Sequence, residues 1–195
     1  MTPLWLARHA RPLAAAGLCY GALDLRADTE ATRLAAQGLA HAIPQRLAVH
    51  FSPLQRCEQL AQALRALRPD FIFKPDARLR EMDFGDWEGR SWQAIGAEAL
   101  AAWTDDFAEH RVGGGENVTG FMRRVAEAWD ELATAPTLWI THAGVIRAAG
   151  LIARGQRHVE RADQWPAWAP AYGEWTRIER PSGAVPISSG PAIRA

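Results

Sequence analysis

Two histidines in this 195-residue chain follow short apolar runs, Leu4-Trp5-Leu6-Ala7 leading into Arg8-His9 and Leu138-Trp139-Ile140 leading into Thr141-His142. Runs of this length read as buried strands, and in open α/β sheets ligands bind beyond the C-terminal ends of the strands. Two imidazoles sent there from distant parts of the chain are expected to share one pocket. Arg8 and Arg56 would add guanidinium forks, and the loop over residues 74 to 90, with Arg78, Arg80, Glu81, Asp83, Asp86, Glu88 and Arg90, would supply a proton. These groups suit phosphoryl transfer, where catalysis is largely positioning and charge neutralisation. At ~4 Å and an effective dielectric of about 20, each contact between cation and anion is worth roughly 4 kcal/mol before desolvation is subtracted. The residues alone leave other readings open. Either histidine can be a structural hydrogen-bonder, Arg8 or Arg56 a solvated cation, and spacing alone does not choose between Glu81 and Asp83 as the acid. His9, His142 and a loop carboxylate can also be read as metal ligands of a hydrolase.

The elements that must position these groups follow from periodicity. Residues 10 to 28, with Pro12, Gly17 and Gly21, read as a long loop at the C-terminal edge of the sheet. Asp28 or Thr29 caps a helix carrying Leu34, Ala35 and Leu39 that Pro44 stops. Leu47 to Phe51 is predicted as a strand, and Ser52-Pro53 as an N-cap followed by proline at the first helical position, with Cys57, Leu60, Ala61, Leu64 and Leu67 continuing that helix. A short strand is expected at Phe71 to Phe73, helical pieces over 91 to 110, a break at Gly113-Gly114-Gly115 and an amphipathic helix through Val118, Phe121, Val125, Trp129 and Leu132. After the His142 strand, 143 to 153 reads as helix, 167 to 172 as irregular and 174 to 178 as a last strand. Strands alternating with helices predict an α/β three-layer sandwich, a mostly parallel central sheet with helices on both faces. Residues 1 to 179 are expected to form one domain, and 180 to 195, rich in proline, glycine and serine, a loosely held tail.

Composition narrows the partners. Lysine plus arginine and aspartate plus glutamate balance at 22 each, which recommends neither a nucleic acid nor an anionic membrane. Lys74 is the only lysine, and the planar fork of arginine suits bound oxyanions, although a codon bias toward arginine accounts for the excess equally well. Two cysteines lack metal-ligand spacing and fit a reducing cytoplasm. No run approaches the ~20 apolar residues of a spanning helix. A cytoplasmic protein acting on a small metabolite is the expectation.

Arg8-His9, the segment Ser52-Pro53-Leu54-Gln55-Arg56-Cys57-Glu58-Gln59, the segment from Leu79-Arg80-Glu81 to Trp87-Glu88-Gly89, and Thr141-His142-Ala143-Gly144 occur in the order found in the histidine phosphatase superfamily, relatives of cofactor-dependent phosphoglycerate mutase. The chain resembles that family from Leu4 to about Gly150. The resemblance implies a phosphoglycerate mutase-like fold and a phosphatase in which His9 becomes a phosphohistidine. It further implies that Arg8, Arg56 and His142 hold the phosphoryl oxygens, that Glu81 protonates the leaving alcohol, and that no metal or other cofactor is required. Two guanidinium groups keep an imidazole neutral and nucleophilic, and a bound phosphate dianion favours the acid form of a nearby carboxyl. Family members have glycine where this chain has Ala10, and many have asparagine where it has Ala15. Arg11 is a candidate replacement for the missing contact, and a catalytically silent relative that binds a phosphorylated ligand is the alternative these departures raise. Leu60 stands where threonine is common. The segment from Arg11-Pro12 through Cys19-Tyr20-Gly21 to Asp24 is similar to alpha-ribazole phosphatases, which act in assembling the lower ligand of cobalamin. Trp87 and Trp92 could stack on an aromatic substrate or simply fill the core, and Gly113 to Asn117 reads as a plain lead-in to a helix.

Overall fold

The computed structural model describes residues 1 to 180, so the predicted tail from 181 to 195 lies outside the described residues. In chain order the elements are β1 (Thr2–Arg8), α1 (Thr29–Ala42), β2 (Ala48–Phe51), α2 (Gln55–Leu67), β3 (Ile72–Pro75), α3 (Trp92–Ile95), α4 (Ala97–Asp105), α5 (Val118–Asp130), β4 (Thr137–Thr141), α6 (Ala143–Ala153) and β5 (Trp175–Arg180). The sheet order is β3-β2-β4-β1-β5. The first four strands run parallel, and β5 lies antiparallel along β1.

The two central strands are buried on both faces, which is why β1 and β4 read as unbroken apolar runs rather than as alternating ones. Trp5 and Ala7 of β1, with Leu138 and Ile140 of β4, pack on one side with Leu39 of α1 and Leu60 of α2. Leu4, Leu6 and Trp139 point the other way, to a core shared with Phe121 and Val125 of α5 and Val145 of α6. The expected three-layer α/β sandwich is therefore present, with a phosphoglycerate mutase-like arrangement of strands and helices. Each fully buried leucine contributes about 1.5–3 kcal/mol through the water it sheds.

Boundaries differ from the sequence reading where a side chain has another task. The second helix begins at Gln55 with Leu54 as its N-cap and no side-chain cap, because the Ser52 hydroxyl lies against His142, 2.8 Å away. Pro53 accordingly precedes the helix rather than opening it. Leu67 ends that helix half exposed, on the solvent side of the apolar stripe. The third strand is displaced to 72–75 by its pairing of Ile72 with Ala48. Arg180, assigned to the tail by composition, closes β5, where its guanidinium donates to the carbonyls of Leu132 and Ala133. No helix among the described residues is long and apolar enough to cross a membrane.

Candidate active site

Register brings the two histidines together. Arg8 of β1 stands opposite Thr141 of β4, so His9 and His142 leave adjacent parallel strands side by side, their ring centroids 5.0 Å apart. His9 Nδ1 lies 2.7 Å from the Ala10 carbonyl oxygen. A carbonyl only accepts, so Nδ1 carries the hydrogen in the neutral ring and Nε2 keeps its lone pair. Burial, Arg56 and Arg8 lower the His9 pKa from 6.5 to about 3, against the opposing pull of the Ala10 carbonyl. The ring is neutral and oriented at pH 7.

Arg56 is fully buried. Its Nη1 donates to the Leu23 carbonyl at 2.8 Å, its Nη2 to the Gly21 carbonyl, and its Nε to His142 Nδ1 at 3.2 Å. Since Nδ1 of His142 accepts, its Nε2 bears the hydrogen and donates to Ser52 Oγ at 2.8 Å. Both ring nitrogens of His142 are thus engaged within the protein, and burial and Arg56 hold that ring neutral. In this orientation His142 is bonded to the Arg56 fork and to Ser52 while lining the same cavity as His9. Arg8 Nη1 donates to the Pro170 carbonyl at 2.9 Å, with the guanidinium carbon 3.9 Å above the Tyr172 ring. Arg68, Arg78 and Arg124 pair with carboxylates elsewhere; Arg8 and Arg56 are held by neutral carbonyls, leaving their charge for an anion.

Two buried neutral imidazoles make stability depend on pH. Above the unfolded value of 6.5 neither state is protonated and stability is complete. As pH falls toward 3 the unfolded chain takes up protons that folded His9 cannot, so stability is lost across that window. The melting temperature is expected to decline already between pH 6.5 and 5, before most carboxylates titrate. A flat profile there in a thermal scan would contradict buried neutral rings.

The Glu81 carboxyl rests against the first turn of α6. Its Oε2 accepts from the Gly144 N–H at 3.0 Å and its Oε1 from the Met82 N–H at 3.1 Å. A Cβ on Gly144 would come within 2.2 Å of Glu81 Oε1, so the small residue is required for the carboxyl to rest there. Arg124 fixes the backbone that carries it, donating to the Arg78, Arg80 and Glu81 carbonyls while paired with Glu116. Asp83, the rival acid, turns away, its Oδ1 accepting from the Gly85 N–H, and lines a separate cavity. Arg8, His9, Arg56, Glu81 and His142 all line one cavity of about 660 Å³, with Arg11 and Ala15 nearer its mouth.

The family model of the histidine phosphatase superfamily (branch 1) matches residues 4–187. The chain belongs to the histidine phosphatase superfamily. No curated protein gives a significant match. Among solved structures, TTHB049 from Thermus thermophilus is 28% identical over 92% of this chain and 95% of that one, with a TM-score of 0.70. A mycobacterial glucosyl-3-phosphoglycerate phosphatase is 25% identical over 92% and 90%, with a TM-score of 0.74. A candidate alpha-ribazole-5'-P phosphatase from Escherichia coli K-12, at 24% identity over 91% and 89% and a TM-score of 0.76, shares the fold.

In this member of the histidine phosphatase superfamily, loop and helix residues that sequence reasoning did not single out complete the site. Tyr20 and Tyr172, 152 positions apart, join hydroxyls at 2.6 Å across the cavity. Tyr172 also tilts against the His9 ring. Its signal was faint, since it ends an irregular stretch. Arg147 lines the cavity and donates to the Ala167 carbonyl at 2.8 Å; as the only charged residue of α6, it was visible in principle. Trp87 is core, whereas Trp92 is half buried and lines the cavity. Gly113 and Gly115 are packed against the backbone of residues 83 to 87, and Asn117 caps α5.

Glu88 clamps the loop that holds Arg56. Its carboxylate accepts from the Ala22 and Phe84 N–H groups at 2.7 and 3.0 Å and from the Leu23 N–H. Charge-assisted bonds of this kind are worth about 1.5–3 kcal/mol. Glu88→Gln is expected to loosen the Gly21 and Leu23 carbonyls and lower kcat/KM for a phosphomonoester about tenfold. Unchanged kinetics would show that the clamp does not reach Arg56.

Proposed function

We propose that this protein is a phosphomonoesterase that works through a phosphohistidine on His9 and acts on a small phosphorylated metabolite. The observation that carries the reading is the neutral, backbone-locked His9 ring, its Nε2 lone pair free, beside the uncompensated charges of Arg8 and Arg56 and in one cavity with Glu81. In the first half-reaction Nε2 attacks phosphorus, the bond from phosphorus to the ester oxygen breaks, and protonated Glu81 gives its proton to the departing alkoxide. In the second, water attacks the phosphohistidine while the Glu81 carboxylate takes its proton, and the P–N bond breaks to release orthophosphate. Both steps conserve protons without outside help. Arg8 and Arg56 neutralise the equatorial oxygens, and His142 contributes by aiming Arg56.

The reading with His9 and His142 as metal ligands lacks a donor set: both nitrogens of His142 are engaged, and no group of three or more His, Cys, Asp or Glu among the described residues could hold an ion. Ala10 is buried and is not among the residues that line the cavity, while its carbonyl orients His9. The finer assignment, alpha-ribazole 5'-phosphate, is supported by the likeness of the 11–24 segment, and that ester is the first substrate to try. Brief incubation with a 32P-labelled phosphomonoester, followed by alkaline quench, should leave an acid-labile label on His9. Orthophosphate release that a chelator abolishes, or turnover with no such label, would overturn the proposal.

A further inference from the structure

Phosphoryl binding does not use all the positive charge in the cavity. Four guanidinium groups line it, those of Arg8, Arg11, Arg56 and Arg147, against one carboxyl, Glu81. Arg11 is exposed at the mouth. Arg147 is different. It projects from α6, its Nη2 donates to the neutral Ala167 carbonyl, and its Nε is buried with no hydrogen-bond partner. A half-buried cation outside ion-pair distance of any carboxylate is costly to maintain; burial lowers the Arg147 pKa, and Glu81 in the same cavity offsets that only in part. Its own element and the facing segments offer no carboxylate partner within ion-pair distance.

Its position sets a distance. Ala143 and Arg147 are one turn apart on the same face of α6 and both line the cavity, so Arg147 stands about 6 Å further along the helix from the end where His142 meets the phosphoryl site. We infer that the substrate alcohol carries a second anionic group, a carboxylate or a further phosphate, which Arg147 binds while Arg8 and Arg56 hold the phosphoryl group being transferred. This rests on the phosphatase reading for its chemistry and departs from the alpha-ribazole assignment in the alcohol, because alpha-ribazole has no such group, so a wild-type preference for alpha-ribazole 5'-phosphate over every ester with a second anion counts against it. On this inference Arg147 is the residue that chooses among esters.

The test is a pair of aryl esters that differ in charge but closely match in size, carboxyphenyl phosphate and carbamoylphenyl phosphate, each in its 3- and 4-substituted form. The full chain is expected to prefer a carboxylate ester at least tenfold in kcat/KM. Arg147→Met should reduce that preference to within about twofold while changing turnover of the carbamoyl ester less than threefold, and Arg147→Lys should restore part of it. Equal loss on both esters would assign Arg147 to holding the Ala167 loop and overturn the inference. So would a wild-type chain with no preference in either series, or a preference that survives in Arg147→Met. Failure of the wild-type chain to hydrolyse any of the esters or to form the acid-labile label would instead remove the phosphatase reading on which the inference rests.

Discussion

His9→Gln is expected to lower kcat/KM for any phosphomonoester by roughly ten-thousandfold or more and to abolish the acid-labile label. Glutamine has nearly the volume of histidine and can still reach the Ala10 carbonyl, so the pocket should persist and orthophosphate should still bind. What disappears is the Nε2 lone pair. Because the wild-type ring stays neutral down to about pH 3, the loss should be the same at pH 6 and pH 8, which separates a missing nucleophile from an altered titration. Steady-state rates with orthophosphate detection, combined with the labelling experiment, measure both. A His9→Gln protein that retains even one-tenth of wild-type turnover would move the chemistry to another residue.

Arg56→Lys comes next in size. The charge is kept, yet a loss of a hundredfold to a thousandfold in kcat is expected, near what removal of a transition-state arginine costs. One ammonium cannot reach the Gly21 and Leu23 carbonyls, His142 Nδ1 and a phosphoryl oxygen together, a set that the guanidinium fork spans. Each buried carbonyl left unsatisfied costs about 1–3 kcal/mol, and at this chain length a kcal/mol is worth roughly 2–4 °C. The melting temperature should therefore fall by about 5 °C, measurable by scanning calorimetry. A lysine variant as stable and as active as the parent would show that the fork geometry is unimportant.

The fold was legible because the central strands are long enough in apolar residues, and close enough to polar ones, to mark their own ends. His9 and His142 could be read from the position of those ends, and their proximity follows from register once β1 and β4 are neighbours. The antiparallel direction of β5 was not legible, since its residues alternate weakly and it is reached through a long irregular connection. Ser52 misled for a definite reason: serine followed by proline signals a cap, but a hydroxyl beside a buried imidazole is drawn to the ring nitrogen instead. The carbonyls of Gly21, Leu23 and Pro170 were hidden because backbone acceptors carry no sequence signature, and Tyr172 because it ends an irregular stretch. Arg147 shows the converse, a lone charge in an apolar helix whose meaning emerges only when the cavity beside it is known.

The junction between β4 and α6 has a consequence for how this protein can evolve. His142 is enclosed, and a side chain on Gly144 would push the Glu81 carboxyl from its place, so substitutions there disturb the site directly. Leu13, Ala15, Ala16 and Gly17 are exposed, and Gly17 has nothing within 4 Å of where a Cβ would stand. Substitutions at Ala15, Ala16 and Gly17 are therefore expected to reshape the cavity mouth while the enclosed groups keep their contacts.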